Sequence, residues 1–481
     1  MVSSDIIYGS LPRRTKIICT IGPGSSSDSV ITGLLQAGMD VARLNFSHGT
    51  HQDHANRIDM LRRVAGQLNL PVAILQDIPG PKDRTGITKK GGVMLKGGDD
   101  FTLTTRQVLG DRYQVSVDWP DLPKTLRLGN TIFLDDGNIK LKVETIDAAD
   151  IKCKVIVGGR LGDHKGVNIP GLTREESPIT DEDWRHIEFG LQREVDFIAL
   201  SFIKKAEDVL RVRDFIHAKD ANMPLIAKIE RREALDNIDE ILEVADGVMV
   251  ARGDLGIEIP LEKVPIAQKR IIQKCNHLGK PVIVATQMLE SMVDSARPTR
   301  AEVTDVANAI FDGTDAVMLS EETAVGHYPI EAVNMMAKVA LETEAALPYD
   351  DILLNKGADL LSETDDAISY AACHIAQQIG AVAIVAFTAS GSTARRVSKY
   401  RPRVPIVAIT PNRVTLEQLS LSWGIRAFLV DAVTKIADLF VQGAVVARES
   451  GLARDGDLVV ITGGVPIGVS GSTNLLKVEE L

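Results

Sequence analysis

The chain has 481 residues, 44% apolar, 25% charged and only 4% aromatic, which allows two to four domains with aliphatic cores. Its formal net charge of −11, with no Lys/Arg stripe, disfavours binding to nucleic acid. Cys19, Cys153, Cys275 and Cys373 form no CxxC pair, the first residues lack a signal-peptide core, and no segment reaches the roughly 18 uninterrupted apolar residues of a membrane span, so a soluble, reduced, cytoplasmic protein is expected.

Short apolar runs recur along the chain: KIICT (16–20), VARLN (41–45), VAILQ (72–76), FIALS (197–201), LIAKI (225–229), VMVAR (248–252), VIVAT (282–286) and AVMLS (316–320). Each reads as a parallel strand covered on both faces. Helical periodicity separates most of them, as over 205–218, 232–244 and 261–278. This predicts a (β/α)₈ TIM barrel, with a doubly wound open sheet as the alternative. Between the third and fourth runs, 83–176 alternates with Gly-rich turns, DDGN (135–138) among them. That predicts an inserted all-β lid domain. The barrel thus occupies 1–82 and 177–345. Residues 346–481 hold AVAIVAF (381–387), PIVAIT (405–410), AFLV (427–430) and DLVVIT (457–462), a C-terminal open α/β domain, with 353–366 as a linker or first turn.

Barrel function sits where strands end. Arg43, Asn45 and Ser47 alternate onto one face of the second strand, with His48 following, and Asp77 closes the third. The fifth ends in Lys228 and Glu230, the sixth in Arg252, Gly253 and Asp254, the seventh in Thr286, and the eighth in Ser320, Glu321 and Glu322. Two acids about one β/α unit apart suit Mg²⁺, which takes one or two carboxylates and fills its other positions with water and substrate. Arg43 and Lys228 supply the positive charge a transferring phosphoryl group needs, and the backbone amides of GDLG (253–256), opening the next helix, could hold a substrate carboxylate. Plainer readings stand beside this one. Lys228 and Glu230 could form a strand-end ion pair, and Asp254, Thr286 and Ser320 could cap helices.

These motifs resemble the pyruvate kinase family, in RTKIICTIGP (14–23), ARLNFSHGTHQDH (42–54), GPKDRTG (80–86), HKGVNIPG (164–171), AKIERREAL (227–235), VMVARGDLGIEIP (248–260), KPVIVATQMLESM (280–292) and the long segment 297–329. The resemblance implies a glycolytic phosphotransferase acting on phosphoenolpyruvate and ADP, yielding pyruvate and ATP, with Mg²⁺ (Mn²⁺ as an alternative) on Glu230 and Asp254. Arg43 and Lys228 would hold the phosphoryl group. Gly253, Asp254 and Thr286 would take the substrate carboxylate. Asn45, His48, Arg84 and Lys165 would contact nucleotide. The enolate would be protonated through hydroxyls such as Thr286 and Ser320 with Glu322 behind them, the immediate donor staying open.

Potassium-dependent members use residues matching Asn45, Ser47, Asp77 and Ile78, and carry Thr and Glu where this chain has Ile78 and Lys82. The resemblance therefore points to the potassium-independent subgroup, with the Lys82 ammonium as internal substitute. Asp83 and Glu321 are further departures. Asp83 could pair with Lys82 or Arg84. TASGST (388–393) matches the family's effector loop, placing a phosphorylated allosteric effector at Thr388, Ser390, Ser392 and Thr393, and TGGVPIGVSGSTN (462–474) resembles bacterial members. The resemblance also implies a homotetramer, and an end at Leu481 without the extra phosphotransfer domain of some bacterial members. Two other functions remain open here: a Mg²⁺-dependent lyase acting on pyruvate or phosphoenolpyruvate, and a non-catalytic phosphometabolite sensor.

Overall fold

The computed structural model describes residues 13–172, 178–358, 362–469 and 471–481. Outside them lie 1–12 of the first barrel segment, 173–176 of the expected lid, 177 of the second barrel segment, 359–361 of the expected linker and Ser470 of the 462–474 segment.

Eight parallel strands close into a barrel: β1 (Lys16–Thr20), β2 (Val41–Asn45), β3 (Ala73–Ile78), β4 (Phe197–Leu200), β5 (Leu225–Ile229), β6 (Gly247–Ala251), β7 (Val282–Ala285) and β8 (Ala316–Leu319), with β8 returning to β1. Each lies within two residues of its apolar run. The double-sided burial that made those runs continuous is realised in two shells. Ile18, Leu75, Ala199, Ile226, Met249 and Ile283 are among those filling the interior. Their neighbours along the strands, such as Ile17, Leu44, Ile74 and Val250, pack against the helices. The helix expected over 232–244 divides into Arg232–Asp236 and Ile238–Val244, because the Asn237 side-chain amide between them donates to the Lys204 carbonyl (3.0 Å). The one expected over 261–278 opens as a 3₁₀ turn, Leu261–Lys263, before Val264–Leu278.

The chain leaves the barrel after β3 to build a six-stranded sheet and a small two-stranded one. This insertion is not wholly β, since a short helix, Leu122–Thr125, interrupts it. In the hairpin Thr131–Leu134/Ile139–Asp147, Asp136 (φ 52°) and Gly137 (φ 92°) are both left-handed, as a type I′ turn demands. That turn reaches back to the barrel: a Cβ on Gly137 would stand 3.6 Å from Ile257.

The C-terminal sheet has the order β11-β10-β9-β12-β13, formed by β9 (Ala383–Phe387), β10 (Ile406–Thr410), β11 (Ile425–Leu429), β12 (Leu458–Gly464) and β13 (Thr473–Glu480), the last antiparallel. The segment expected as a linker is largely helical. Tyr349–Ala358 runs into it, Thr364–Gln378 begins within it, and Leu353 is buried against Ala372 and Cys373.

This domain forms the floor of the barrel. Leu421 joins the interior core cluster. Asp315, just before β8, accepts the Val282 N–H (3.0 Å) from within the barrel and Arg401 Nη1 (3.0 Å) and the Trp423 N–H (3.4 Å) from below. Lys16 Nζ donates to the Ile425 carbonyl (2.8 Å). All four cysteines are free and buried. Among the described residues no helix is long and apolar enough to cross a membrane.

Candidate active site

At the C-terminal ends of β1 to β5 one carboxylate joins two cations. Arg43 Nε donates to Asp77 Oδ2 (2.7 Å) and its Nη1 to Thr20 Oγ1 (2.9 Å). Lys228 Nζ donates to Asp77 Oδ1 (3.1 Å) and to Ser201 Oγ (2.7 Å), and pairs with Glu230 Oε1 (2.9 Å). Glu230 Oε2 accepts the Phe202 N–H (2.7 Å). The strand-end ion pair of the plainer reading is thus present, embedded in a larger network. Arg43, Asp77, Lys228 and Glu230 are all buried. Burial alone would raise the Asp77 pKa, but Lys228 and Arg43 overcome it and hold the carboxyl below its ordinary value. Burial would likewise lower Lys228, yet Asp77 and Glu230 outweigh it and raise the ammonium well above its usual range. The ammonium therefore stays charged through the physiological range.

Glu230 is pushed up by burial, drawn down by Lys228 and pushed up again by Asp254. Asp254 thus stands near enough to act on Glu230, and two neighbouring carboxylates are a donor set that a divalent cation can complete. Among the described residues no group of three or more His, Cys, Asp or Glu could hold a metal by protein ligands alone.

Asp254 lies in the first turn of the helix Arg252–Glu258, whose N-cap is Ala251, so the N-cap reading of Asp254 is not realised. The Gly253 N–H donates to Thr286 Oγ1 (2.9 Å), which in turn donates to the Ala285 carbonyl (2.6 Å). Ser320 stands at the N-cap of the short helix Glu321–Ala324 without a side-chain capping bond. Glu322 is buried behind it and accepts the N–H groups of Ser320 (2.6 Å) and Leu289 (3.0 Å); burial raises its pKa. Glu321 is exposed.

Around the rim, Asn45 Oδ1 accepts the Ser47 N–H (3.1 Å), and His48 is exposed. From the lid side, Arg84 Nη1 donates to the His164 carbonyl (3.0 Å) and Lys165 Nζ pairs with Asp135 (2.7 Å). Ile78 is fully buried in the outer core, its carbonyl accepting from Ser201 Oγ (2.7 Å). Lys82 Nζ pairs with Asp136 of the lid turn (3.0 Å) and Asp254 (3.4 Å), so a single ammonium spans lid and barrel.

In the C-terminal domain a cavity of about 180 Å³ opens beside the helix Ser392–Lys399. Thr388, Ser392 and Thr393 line it; Ser390 does not, its hydroxyl facing Ser392 Oγ (3.4 Å) instead. The helix starts at Ser392, after Gly391 in the left-handed region (φ 85°). Thr388 Oγ1 is buried without a partner. The walls are largely apolar and carry Asp431, with no Lys or Arg among the described lining residues.

Sequence reading missed Thr20 and Ser201 as parts of the site, and placed Arg252 at a strand end without giving it a role. Each acts through contacts between strand ends distant in sequence, and the one available signal was position, a polar residue closing a barrel strand.

A family model described as pyruvate kinase, barrel domain, matches residues 12–333, and one described as pyruvate kinase, alpha/beta domain, matches 366–479. The chain is 50% identical over 475 residues to a pyruvate kinase of Geobacillus stearothermophilus, covering 98% of this chain and 80% of that one. It is 45% identical over 469 residues to a pyruvate kinase of Clostridium acetobutylicum, covering 97% and 99%. The crystal structure of a pyruvate kinase from Cryptosporidium parvum superposes with a TM-score of 0.91 at 37% identity, over 100% of both chains. With a barrel, an inserted lid and an α/β floor matched along almost its whole length, the chain belongs to the pyruvate kinase family.

Proposed function

We propose that the cluster at the barrel mouth is the phosphoryl-transfer centre of an enzyme that moves the phosphoryl group of phosphoenolpyruvate to ADP, giving pyruvate and ATP. The observation that carries this reading is the single buried carboxylate of Asp77 holding Arg43 and Lys228 side by side. Two preorganised cations at one point are what a phosphoryl group in flight requires, since its charge is spread over three oxygens. Glu230 and Asp254 would hold Mg²⁺, which when bound supplies further neutralisation of phosphoryl charge. Gly253, Asp254 and Thr286 receive the substrate carboxylate, the Gly253–Thr286 bond opening to admit it. Lys228 stabilises the enolate left after transfer. The proton it needs travels through the Thr286 and Ser320 hydroxyls, with buried Glu322 holding the Ser320 backbone in place.

Asn45, His48, Arg84 and Lys165 meet the nucleotide, the last two delivered by the lid on closing. The enzyme works without potassium, because Ile78 offers no side-chain ligand and Lys82 brings a fixed ammonium to the mouth. The C-terminal cavity takes a phosphorylated activator on Thr388, Ser392 and Thr393. We place the enzyme in the cytoplasm as a homotetramer.

Pyruvate formation from phosphoenolpyruvate and ADP with Mg²⁺, in buffer free of potassium and ammonium, tests the reading. Full turnover, unchanged on adding potassium, is expected. Activity appearing only with potassium would overturn the role of Lys82, and none under either condition would overturn the assignment of the centre.

A further inference from the structure

Arg252 is the first residue after β6, yet its guanidinium is spent on the turn after β7. Nε donates to the Ala285 carbonyl (3.1 Å) and Nη2 to the Thr286 carbonyl (2.7 Å). Nη1 is anchored behind by Asp305 Oδ1 (2.7 Å), on the helix Arg300–Phe311, and reaches Gln268 Oε1 (3.4 Å). None of these partners belongs to the Arg43–Asp77–Lys228–Glu230 cluster.

The turn it grips needs holding. Thr286 (φ 70°) and Gln287 (φ 54°) are consecutive non-glycine residues in the left-handed region. A β-branched side chain there is a genuine outlier, and such conformations persist only where the surroundings over-determine them. Two neighbours share the work. Gly253 binds the Thr286 hydroxyl through its N–H, and Arg252 binds the backbone on either side of the Thr286 nitrogen, fork to carbonyls. A lysine has a single donor centre and cannot reproduce that fork.

We propose that Arg252 is a positioning residue for phosphoryl transfer, setting the place of the Thr286 hydroxyl and of the Gly253 amide opposite it. This rests on the assignment of Thr286 to the substrate. A misplacement of about 1 Å at a reacting group costs on the order of 100-fold in rate, so that is the scale of effect expected on losing the fork.

The test is a double-mutant cycle on kcat/KM for phosphoenolpyruvate, using wild type, Arg252→Gln, Thr286→Ala and the double variant. Arg252→Gln is expected to fall about 100-fold with KM for ADP unchanged, and Arg252→Lys about tenfold, by the same argument from displacement. In the Thr286→Ala background Arg252→Gln is expected to add less than about twofold, a non-additivity that general loss of stability would not produce. Full additivity, or Arg252→Gln within threefold of wild type, would overturn the proposal. Thr286→Ala without loss would overturn the role of Thr286 itself, a distinguishable failure. Should Arg252→Gln not fold, Asp305→Asn, which loosens the anchor and keeps the fork, carries the same cycle with the same required non-additivity.

Discussion

Replacing Lys228 by methionine keeps the apolar stem and removes the ammonium, and its consequences divide into two parts that can be measured separately. The first is stability. Lys228 is buried between Asp77 (3.1 Å) and Glu230 (2.9 Å), and breaking a buried ion pair by removing one partner costs about 3–5 kcal/mol. The lower end applies, because Asp77 keeps Arg43 at 2.7 Å and Glu230 keeps the Phe202 N–H. A loss of about 3 kcal/mol in urea unfolding is expected, survivable for a protein of this size. The second part is chemistry. A cation supplied to a transferring phosphoryl group is worth about 10³–10⁵ in turnover, or about 4–7 kcal/mol of barrier. A coupled assay of pyruvate should therefore show kcat reduced at least a thousandfold. Mn²⁺ binding, followed by electron paramagnetic resonance, should persist, since Glu230 and Asp254 remain. A folded Lys228→Met variant with kcat within tenfold of wild type would refute the assignment of the ammonium to the phosphoryl group.

Two further tests use other parts of the molecule. His54 is buried against Phe46 (ring centroids 3.9 Å) with Nε2–H donating to the His48 carbonyl (3.0 Å), and burial with Arg57 nearby brings its pKa down from 6.5 to about 4. The unfolded chain binds that proton more readily, so this contribution is complete above about pH 6.5 and is lost as pH falls through 4. It amounts to about 2 kcal/mol between pH 7 and pH 5, a slope His54→Gln should abolish in urea unfolding; an identical slope in the variant would count against it. In the C-terminal domain, Ser392→Asp places a carboxylate in a cavity already holding Asp431, and should reduce the ratio of activated to basal turnover to about one across a panel of sugar phosphates and nucleoside monophosphates. Activation surviving in that variant would move the effector elsewhere.

The barrel was legible because its strands are buried on both sides, and continuous burial leaves a continuous apolar run whatever the loops do. The polar ends of β2, β5, β6 and β8 were legible as a candidate site because several successive buried runs close on polar residues together, where each one alone has a structural reading. What escaped was anything decided by one contact across the fold. Asn237 breaks a helix because of a carbonyl at Lys204, and nothing in the local pattern announces it. The stretch around Leu353 looked like a polar connection, yet one face of a short helix needs few apolar residues to pack. Lys82 was legible as a cation near the mouth, while its two partners, one on the lid and one on the barrel, became visible only with the lid turn in place.

The floor of the barrel bears on how this protein can change. Asp315 answers to β7 inside the barrel and to Arg401 and Trp423 beneath it, so the two halves share one acid. Cutting the gene near residue 345 would not release a free-standing catalytic module: it would bare Asp315 and the base of the interior core together. Recombination between relatives faces the same bond, and a chimera joined there inherits a working seam only if Asp315 and Arg401 travel as a pair.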